Sequence, residues 1–398
     1  MGSVVVVGAS LAGMHAAHTL RREGFDGRIT VIDGERGEPY DKPPLSKQVL
    51  KGDWDADRIV LPSAREDLDL DWRLGQHAIG LDLSDRVVRL GSDHVGFDGL
   101  VLATGAAARH LPGTAPMGGV FALRTLDDCL GLRAELDKGP SRVVVIGAGF
   151  IGSEVAATCR ERGLDVTILE MAEVPLERVL GAEMGSVCAG LHLDHGVDLR
   201  LGVAVDGLVG TDRVEGVRLA TGEVIDTEVV VVGIGVVPST GWIDGSGLTI
   251  DDGVVVDETL EAAPGVVAAG DIARFPSRRF GEMLRVEHWE NAIQMGEAAG
   301  RRLLVADRAD AEIYDPVPWF WSDQYDRKIQ LAGRSGPDDE VEVVHGSTDE
   351  RRFVALYGRE GRVVGVLGMN RPRHVMQLRS LVTDGVDWHD GLARARAL

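Results

Sequence analysis

Residues 143–170, VVVIGAGFIGSEVAATCRERGLDVTILE, contain the pattern that decides the fold. A run of valine and isoleucine ends in GAGFIG (147–152), and a helix-like stretch follows. A second β-branched run, 166–169, then ends on Glu170. Strand, glycine turn, helix, strand and acid in this order are typical of the βαβ unit that binds dinucleotides.

Each glycine of GAGFIG has its own part in such a unit. The first allows a tight turn, the second lets the backbone approach a pyrophosphate, and the third lets the helix pack on the strand. The helix N-terminus offers free N–H groups and a partial positive charge to the phosphates. Glu170 lies 23 positions after Gly147, about where an acid meets a ribose 2′-OH. A lone GxGxxG can be an ordinary glycine-rich turn, but in this context it predicts nucleotide binding.

The same pattern occurs once before in the chain. VVVVG (4–8) is followed by ASLAG (9–13), a helix expected to about Arg22, a strand at 28–32, and then Asp33 and Glu35. Ser10 takes the place of the second glycine, and its small side chain still permits close approach of a phosphate. Two such units predict two nucleotides, most economically one tightly held FAD and one exchangeable nicotinamide nucleotide.

Length and composition limit the possible classes of protein. A chain of 398 residues predicts two or three domains, each with its own core. The net charge of −21 argues against nucleic acid as a partner. No apolar run reaches about 18 residues and no basic leader precedes the first strand, so we expect neither a membrane span nor a signal peptide, and a cytoplasmic location. Cys129, Cys159 and Cys188 form no CxxC pair, which suits a reducing compartment and predicts no metal site.

Between the two units the sequence predicts loops and further elements. Residues 34–50 predict a shaped loop, because Pro39, Pro43 and Pro44 cannot lie inside a helix or a central strand. Ser46 is expected to cap a following helix, and Lys47 by local sequence alone indicates a solvated surface lysine. Helices are expected at 126–136, at 285–304 and, as the last one, near 374–381.

Two later strands are expected to return to the first unit. LVLATG (100–105) and VVAAGD (266–271) are apolar runs that end in small residues, as strands leading to a nucleotide site do. The first domain is then discontinuous, with the second nucleotide-binding domain inserted in it. From about residue 312 the chain is expected to form a third, smaller α+β domain.

A set of motifs along the chain carries a family resemblance. In order they are GASLAG, PYDKPPLSK, LVLATGAAAR, GAGFIGSEVAA, VVVVGIGVVPST, VAAGDIA, RVEHWENA and PWFWSDQY. Together they closely resemble the FAD-dependent NADH:ferredoxin reductases of cytochrome P450 and Rieske oxygenase systems, the putidaredoxin reductase-like group. PPLSK with PWFWSDQY separates this group from the wider superfamily of two-dinucleotide flavoproteins.

The resemblance implies an α/β fold with two Rossmann-like, glutathione reductase-like domains and a C-terminal α+β domain. The FAD-binding domain is expected at 1–107 and 239–312, the NADH-binding domain at 108–238, and the C-terminal interface domain at 313–398. It also implies a set of cofactor-binding residues: Gly8, Ser10, Leu11, Ala12, Gly13, Asp33, Glu35, Lys42, Pro44, Lys47, Ala103, Thr104, Gly105, Arg124, Gly147, Gly149, Phe150, Ile151, Gly152, Glu154, Glu170, Gly233, Ile234, Gly235, Gly270, Asp271, His288, Trp289 and Trp321.

Three of these residues are the expected catalytic ones. The resemblance implies that Lys47 lies beside the isoalloxazine ring and pairs with Glu154, and that Trp321 packs close to the flavin. Trp319 is expected to be an ordinary core residue. The visible departures from the family pattern are Ser10 for glycine and Lys42 for arginine, and each keeps the size or the charge.

The remaining assignments divide between the two nucleotides. Glu35 or Asp33 is implied for the FAD ribose, and Asp271 for the ribityl chain or pyrophosphate. The helix start at 288–291 is implied for the flavin N1–C2=O edge, where a helix N-terminus stabilises negative charge. The glycines of GAGFIG and Glu170 are implied for NADH.

The implied reaction passes a hydride from NADH to FAD and then single electrons to a small iron–sulfur ferredoxin that feeds an oxygenase. Because ferredoxins are usually acidic, docking is expected at a local basic patch. Candidates for this patch are Arg301, Arg302, Arg371 and Arg373.

Other functions of the same fold stay open. A disulfide reductase, or an NADH oxidase or peroxidase, needs a redox cysteine at the flavin, and no cysteine precedes Cys129. A flavoprotein that signals through a nucleotide-dependent conformational change, as a resemblance to apoptosis-inducing factor suggests, is a non-enzymatic alternative.

Overall fold

The computed structural model describes all 398 residues, and the chain separates into two compact units. The first comprises Met1–Asp41, Ile59–Ala107 and Val237–Pro318, and the second comprises Lys42–Arg58, Ala108–Val236 and Trp319–Leu398. The proline-rich segment from Lys42 therefore groups with the second unit. The three domain ranges given above remain a prediction.

Nine helices occur along the chain. In order they are α1 (Leu11–Arg22), α2 (Gln48–Lys51), α3 (Pro62–Arg65), α4 (Leu126–Leu136), α5 (Phe150–Glu161), α6 (Glu177–Asp194), α7 (Trp289–Leu304), α8 (Pro372–Thr383) and α9 (Trp388–Arg396). None is both long enough and apolar enough to cross a membrane.

The strands are short and numerous. In order they are β1 (Ser3–Val7), β2 (Arg28–Asp33), β3 (Leu70–Leu74), β4 (Gly80–Asp82), β5 (Val87–Leu90), β6 (Asp93–Gly96), β7 (Gly99–Leu102), β8 (Ala106–Ala108), β9 (Val120–Phe121), β10 (Val143–Ile146), β11 (Val166–Leu169), β12 (Asp198–Arg200), β13 (Val205–Gly210), β14 (Val214–Leu219), β15 (Val224–Asp226), β16 (Val229–Val232), β17 (Val236–Pro238), β18 (Val254–Val255), β19 (Glu261–Ala263), β20 (Val266–Ala268), β21 (Ala273–Ser277), β22 (Glu282–Leu284), β23 (Trp319–Gln324), β24 (Arg327–Gly333), β25 (Glu340–Ser347), β26 (Arg352–Arg359) and β27 (Arg362–Met369).

The first unit is built on a six-stranded sheet in the order β19-β20-β7-β1-β2-β3. All neighbours pair in parallel except β19 and β20. The valines of β1 are fully buried, as in a parallel sheet that is covered on both faces. Both later strands expected to return to the first βαβ unit, β7 and β20, lie in this sheet.

Helices α1 and α7 pack closely within the first unit because small residues face each other. A Cβ on Gly296 would lie 2.3 Å from the carbonyl oxygen of Ala12, and one on Gly300 would lie 2.9 Å from that of Ala16. The small residues of α7 therefore allow the approach of the helix that follows the first glycine loop.

The second unit repeats the parallel arrangement in a five-stranded sheet ordered β12-β11-β10-β16-β9. Strand β10 lies between β11 and β16 in parallel register, and every residue of β10, β11 and β16 is buried. The chain therefore forms the βαβ unit twice, as the glycine motifs predict.

The same unit contains an antiparallel sheet in the order β23-β24-β27-β26-β25, followed by α8 and α9. Along β23, Phe320, Ser322 and Gln324 are buried and alternate with three less buried residues. A two-residue turn joins β23 to β24, and Tyr325 occupies it with a positive φ of 53°. The prediction of an α+β tail is confirmed.

Tyr325 connects this turn to α6. Its hydroxyl lies 2.8 Å from Nδ1 of His192, and its ring stacks on that of His195 at 3.9 Å. The other ring nitrogen of His192 lies 3.2 Å from the Ser153 hydroxyl. Burial, with a smaller contribution from His195, lowers the pKa of His192 to about 4. His192 is therefore a neutral, fully bonded core histidine.

Two helix predictions were wrong in extent. The stretch 285–304 becomes helical only at Trp289, with His288 as its extended N-cap. The helix at 372–383 is not the last, because α9 follows it, capped by the Asp387 carboxylate. The helix predicted at 126–136 has those bounds, with a Thr125 capping box.

Candidate functional site

The backbone conformation and the packing of the protein require glycine at the first position of each loop. Gly8 has a φ of 107°, and a Cβ there would lie 2.2 Å from the carbonyl oxygen of Ala103, just past β7. Gly147 has a φ of 100°, and its Cβ would lie 2.5 Å from the oxygen of Gly233, just past β16. Both loops therefore turn tightly against the end of the next parallel strand, and no other residue fits without strain.

The second position of each loop is different, because the protein leaves it open. A Cβ on Gly149 would meet only the oxygen of Gly233, at 3.8 Å. Ser10, at the matching place, is the N-cap of α1, and its side chain makes no capping hydrogen bond. Gly149 is thus a glycine that packing within the protein does not explain. A pyrophosphate approaching the backbone explains it, so both loops fit a dinucleotide.

An acid at the end of β2 holds the first loop. The Asp33 carboxylate accepts hydrogen bonds from the backbone N–H of Ala9, at 2.5 Å, and of Glu35, at 2.7 Å. The Glu35 carboxylate instead accepts the Tyr40 hydroxyl at 2.7 Å. The two acids left open for the ribose therefore differ in role: Asp33 holds the loop and Glu35 is held by Tyr40.

The second loop is held in the same way by Glu170. Its carboxylate accepts the N–H of Ala148 at 2.6 Å and that of Ala172 at 2.9 Å. Both acids thus bind the residue after the first glycine and the residue two positions beyond themselves. By this geometry Asp33 is the counterpart of Glu170.

Within the second unit, a buried carboxylate collects three donors. Glu154 Oε2 lies 2.6 Å from Lys47 Nζ and 2.5 Å from the Ser46 hydroxyl, and Oε1 accepts the Ser322 hydroxyl at 2.7 Å. Glu154 is 3% exposed and the Lys47 side chain 13%. The expected Lys47–Glu154 ion pair is therefore present, and neither residue is the solvated surface group that its local sequence allows.

Three separate segments deliver these side chains. Glu154 lies in the second turn of α5, directly after GAGFIG, while Ser46 and Lys47 end the short 3₁₀ turn formed by PPLS. The prediction that Ser46 caps a helix was wrong, since its hydroxyl is used by Glu154 and α2 has Lys47 at its N-cap without a side-chain bond. The alternation in β23 is the signal that could have indicated Ser322, a polar residue on an otherwise buried face.

Trp321 lies next to Ser322 on the opposite face of β23. Its ring stacks on Trp319 at 5.4 Å, and Lys328 Nζ lies 5.8 Å from its centroid. This face is less buried than the other, so it can accept a flat aromatic ring, while the face of Ser322 is directed into the protein.

Three other predicted residues make hydrogen bonds to distant parts of their own unit. Lys42 Nζ donates to the backbone carbonyl oxygen of Arg124 at 3.5 Å, within the second unit. In the first unit, the Trp289 indole N–H donates to Asp41 at 2.7 Å beside the start of α7. Thr104, after β7, donates its hydroxyl to the backbone of Ser239.

The remaining predicted residues lie at helix starts, just after strands or in the PPLS turn. They are Leu11, Ala12 and Gly13 at the start of α1, Pro44 in the PPLS turn, Gly105 after β7, Phe150, Ile151 and Gly152 at the start of α5, Ile234 and Gly235 after β16, and Gly270 and Asp271 after β20. Ile151 is 47% exposed at the start of α5. These positions are where a nucleotide meets a doubly wound sheet.

One candidate for the docking patch was wrong. Arg302 is buried and bonds to Glu261 at 2.7 Å, so it cannot meet a partner. Arg301 lies near Glu297 and Glu312. Arg371 and Arg373 contribute to a local excess of positive charge around His374, whose pKa is lowered by burial first, then by His345 and by these arginines.

The cysteines offer no redox pair. Cys129, Cys159 and Cys188 are buried free thiols, and burial raises the pKa of each to about 12. Thiols of such high pKa are poor nucleophiles, which argues against a disulfide reductase.

Two protein-family models match the chain. Pyridine nucleotide-disulphide oxidoreductase matches residues 2–296 and Reductase C-terminal matches residues 319–394. The chain is 38% identical over 386 residues to rhodocoxin reductase of Rhodococcus erythropolis, covering 96% of this chain and 89% of that protein. It is 37% identical over 391 residues to the 5,5'-dehydrodivanillate O-demethylase ferredoxin reductase subunit of a Sphingobium species, covering 96% and 93%.

A solved structure agrees in fold over the whole length. The covalent complex of putidaredoxin reductase with putidaredoxin matches with a TM-score of 0.92 and 31% identity, covering 100% of this chain and 98% of that chain. Both the repeated nucleotide units and the C-terminal region therefore have counterparts in solved proteins.

Proposed function

Because the chain belongs to the pyridine nucleotide-disulphide oxidoreductase family, among the ferredoxin reductases with a Reductase C-terminal region, we propose that it is an NADH-dependent ferredoxin reductase of an oxygenase system. Its cofactors are FAD and NADH, and its partner is a small iron–sulfur ferredoxin that feeds a cytochrome P450 or a Rieske oxygenase. The observation that carries the proposal is the pair of matched loops, in which Gly149 has open space around it and Ser10 makes no capping hydrogen bond. FAD supplies a group that accepts a hydride and passes electrons on singly.

The first unit holds the FAD. The open position at Ser10 and the N-terminus of α1 receive the pyrophosphate. Asp33, the counterpart of Glu170, fixes the loop. Glu35, whose carboxylate is oriented by Tyr40, or Asp33 itself meets the adenosine ribose. The N-terminus of α7, with His288 at the N-cap position, stabilises negative charge at the flavin edge.

The second unit holds NADH. Gly149 lets the backbone approach the pyrophosphate, and α5 directs its N-terminus at it. Glu170 accepts the ribose 2′-OH with the lone pairs that Ala148 and Ala172 leave free. Ile151, exposed at the helix start, gives the nucleotide an apolar surface.

Lys47 and Glu154 set the electrostatics of the reaction. The family resemblance implies that Lys47 acts on the flavin. Its ammonium is held by an ion pair with the buried Glu154 carboxylate, which keeps both charges neutralised. The family resemblance implies that Trp321, on the less buried face of β23, packs close to the flavin. The protein contributes orientation and charge, while the cofactor carries the redox chemistry.

The location proposed for this reaction is the cytoplasm, since three buried free thiols suit a reducing compartment. Arg371 and Arg373 are proposed for ferredoxin docking, where positive charge collects on an otherwise acidic chain.

The test is NADH-dependent reduction of cytochrome c with and without a panel of small ferredoxins. Strong stimulation by one of them is the expected result. Stimulation by none, together with a long-lived complex of the reduced protein with NAD, would favour the signalling flavoprotein instead. Denatured protein should release FAD, and recovery of FMN would contradict the first site.

A further inference from the structure

We propose that Ser322 is a positioning residue for Glu154, and that the C-terminal sheet thereby controls hydride transfer from NADH. The proposal rests on the function proposed above. It goes beyond that function because Ser322, to which the proposed function gives no role, acts through the buried Glu154 carboxylate.

The carboxylate of Glu154 is held at both oxygens from different parts of the chain. Oε2 accepts hydrogen bonds from Lys47 and Ser46, which are neighbours in one turn. Oε1 accepts a hydrogen bond from Ser322, which is 168 positions away in the chain. A carboxylate held at one oxygen only can still rotate about its terminal bond. The Ser322 hydroxyl fixes that rotation, and with it the place at which Lys47 meets its partner.

Gln324 determines which way the Ser322 hydroxyl points. Its side-chain Nε2 donates to Ser322 Oγ at 3.2 Å, and both residues are fully buried. A hydroxyl that accepts from an amide has its single hydrogen free to donate. The hydrogen of Ser322 therefore goes to Glu154, and a chain of two hydrogen bonds links β23 to the ion pair.

Register places these groups on one face of β23. Ser322 and Gln324 are two positions apart and so point to the same side, whereas Trp321 points to the other. One strand thus serves both purposes: one face presents the tryptophan implied for the flavin, and the other fixes the acid paired with Lys47. A shift of this strand changes both at once.

The test compares Ser322→Ala with a matched control elsewhere in the protein. Ser277 is also a buried serine, and its hydroxyl donates to the Asp315 carboxylate at 2.6 Å. Ser277→Ala therefore removes the same kind of bond without touching Glu154. Both variants should lower the Tm of the FAD-loaded protein to a similar extent.

Only Ser322→Ala should alter the reaction. In anaerobic stopped-flow, the rate constant of flavin reduction at saturating NADH should fall about tenfold, the usual loss for a hydrogen bond to a charged group. The Kd for NADH should change less than about twofold. Ser322→Thr, which keeps the hydroxyl, should restore most of the rate, and a crystal structure of Ser322→Ala should show Glu154 and Lys47 displaced.

The double variant shows whether Ser322 acts through Glu154. Ser322→Ala added to Glu154→Gln should slow reduction by less than about twofold beyond Glu154→Gln alone, because the carboxylate to be positioned is gone. A full additional tenfold loss would overturn the proposal.

A purely structural serine gives a different result. If Ser322→Ala lowers Tm as Ser277→Ala does but leaves the reduction rate and the Glu154 position unchanged, the proposal is wrong. Should Ser322→Ala fail to fold, Gln324→Met removes the upstream donor instead, and an unchanged rate in that variant also overturns it. Failure of the proposed function is distinguishable, since then NADH does not reduce the unmodified protein or Glu154→Gln leaves its rate intact.

Discussion

The Glu154 carboxylate lies buried against one ammonium and two hydroxyl groups, so its removal has two separable effects. Glu154→Ala should slow flavin reduction by NADH more than it weakens FAD retention, because Lys47 loses the partner that places it. It should also lower the free energy of unfolding by about 3–5 kcal/mol, the cost of leaving a buried charge unpaired. Anaerobic stopped-flow and urea denaturation measure the two effects.

Glu161→Ala is the control for this change. Glu161 pairs with Lys51 at 3.1 Å near the end of the same helix but is exposed, so its loss should cost less than about 1 kcal/mol and leave reduction unaffected. Unchanged kinetics in Glu154→Ala would assign Glu154 a structural role only.

Glu170 should decide the choice between NADH and NADPH. Its carboxylate can accept the ribose 2′-OH and repels a 2′-phosphate, and Glu173 adds a second negative charge nearby. We expect about 10²-fold preference for NADH in kcat/KM, which corresponds to roughly 2.7 kcal/mol. Glu170→Ala should raise the KM for NADH and narrow the preference without reversing it, since no arginine replaces the acid.

Glu173→Ala separates charge from hydrogen bonding at this site. It removes a negative charge and leaves the bonds of Glu170 to Ala148 and Ala172 in place, so it should narrow the preference while NADH affinity stays the same. Equal kcat/KM for the two donors in the unmodified protein would show that Glu170 is not on the ribose.

The sequence predicts which side chains contact each other only where a motif specifies the contact. The Lys47–Glu154 pair followed from family resemblance, and local sequence alone favoured a surface lysine. Ser46 and Ser322 were not predicted, because they reach Glu154 across 108 and 168 positions and a hydroxyl has no motif of its own. A buried acid requires donors, but which residues provide them depends on tertiary packing.

The turn between β23 and β24 depends on the neutral form of His192. Because the pKa of His192 is about 4 in the folded protein and near 6.5 when unfolded, the unfolded chain binds the extra proton in this window. The free energy of unfolding should therefore fall as pH decreases from 6.5 to 4, by about 3 kcal/mol from this residue. Denaturation at a series of pH values measures the slope.

His192→Asn should flatten this slope, although it also lowers stability at neutral pH by breaking the bonds to Tyr325 and Ser153. His94→Asn, at an exposed histidine, should keep the slope of the unmodified protein. Identical slopes in all three proteins would mean that folding does not lower the pKa of His192.

Sequence patterns predict the presence of strands better than they predict where helices begin and end. The apolar runs and glycine turns predicted the parallel strands, because burial on both faces leaves a continuous β-branched signal. The start of α7 was placed too early, since residues 285–288 carry no feature that separates helix from extended chain. Helix α9 was missed because Gly391 weakens its helical signal, whereas in the fold a Cβ there would lie 2.4 Å from Val363.

A chain with a large negative net charge must still attract a ferredoxin that is itself expected to be acidic. The association rate with the cognate ferredoxin should fall as ionic strength rises, because a local basic patch rather than the net charge of −21 steers the encounter. Arg373→Glu should lower this rate and weaken its salt dependence. Stopped-flow mixing of reduced protein with oxidised ferredoxin measures it.

Arg22→Glu is the control, at an exposed arginine near the end of α1 that pairs with Glu23. It makes the same change in total charge and should affect the rate much less. A rate that is independent of salt would instead indicate apolar docking.

The interrupted course of the first unit has a consequence for synthesis on the ribosome. Strand β7 pairs with β20, and 163 residues separate Leu102 from Val266, a stretch that contains the second parallel sheet. The second sheet, β9 to β16, is therefore fully translated before the first has received its strand β20. Although domains usually fold from the N-terminus during translation, here the later-encoded nucleotide unit can complete its sheet first. The N-terminal strands therefore form an incomplete sheet, with one edge of β7 unpaired, until β20 has been synthesised.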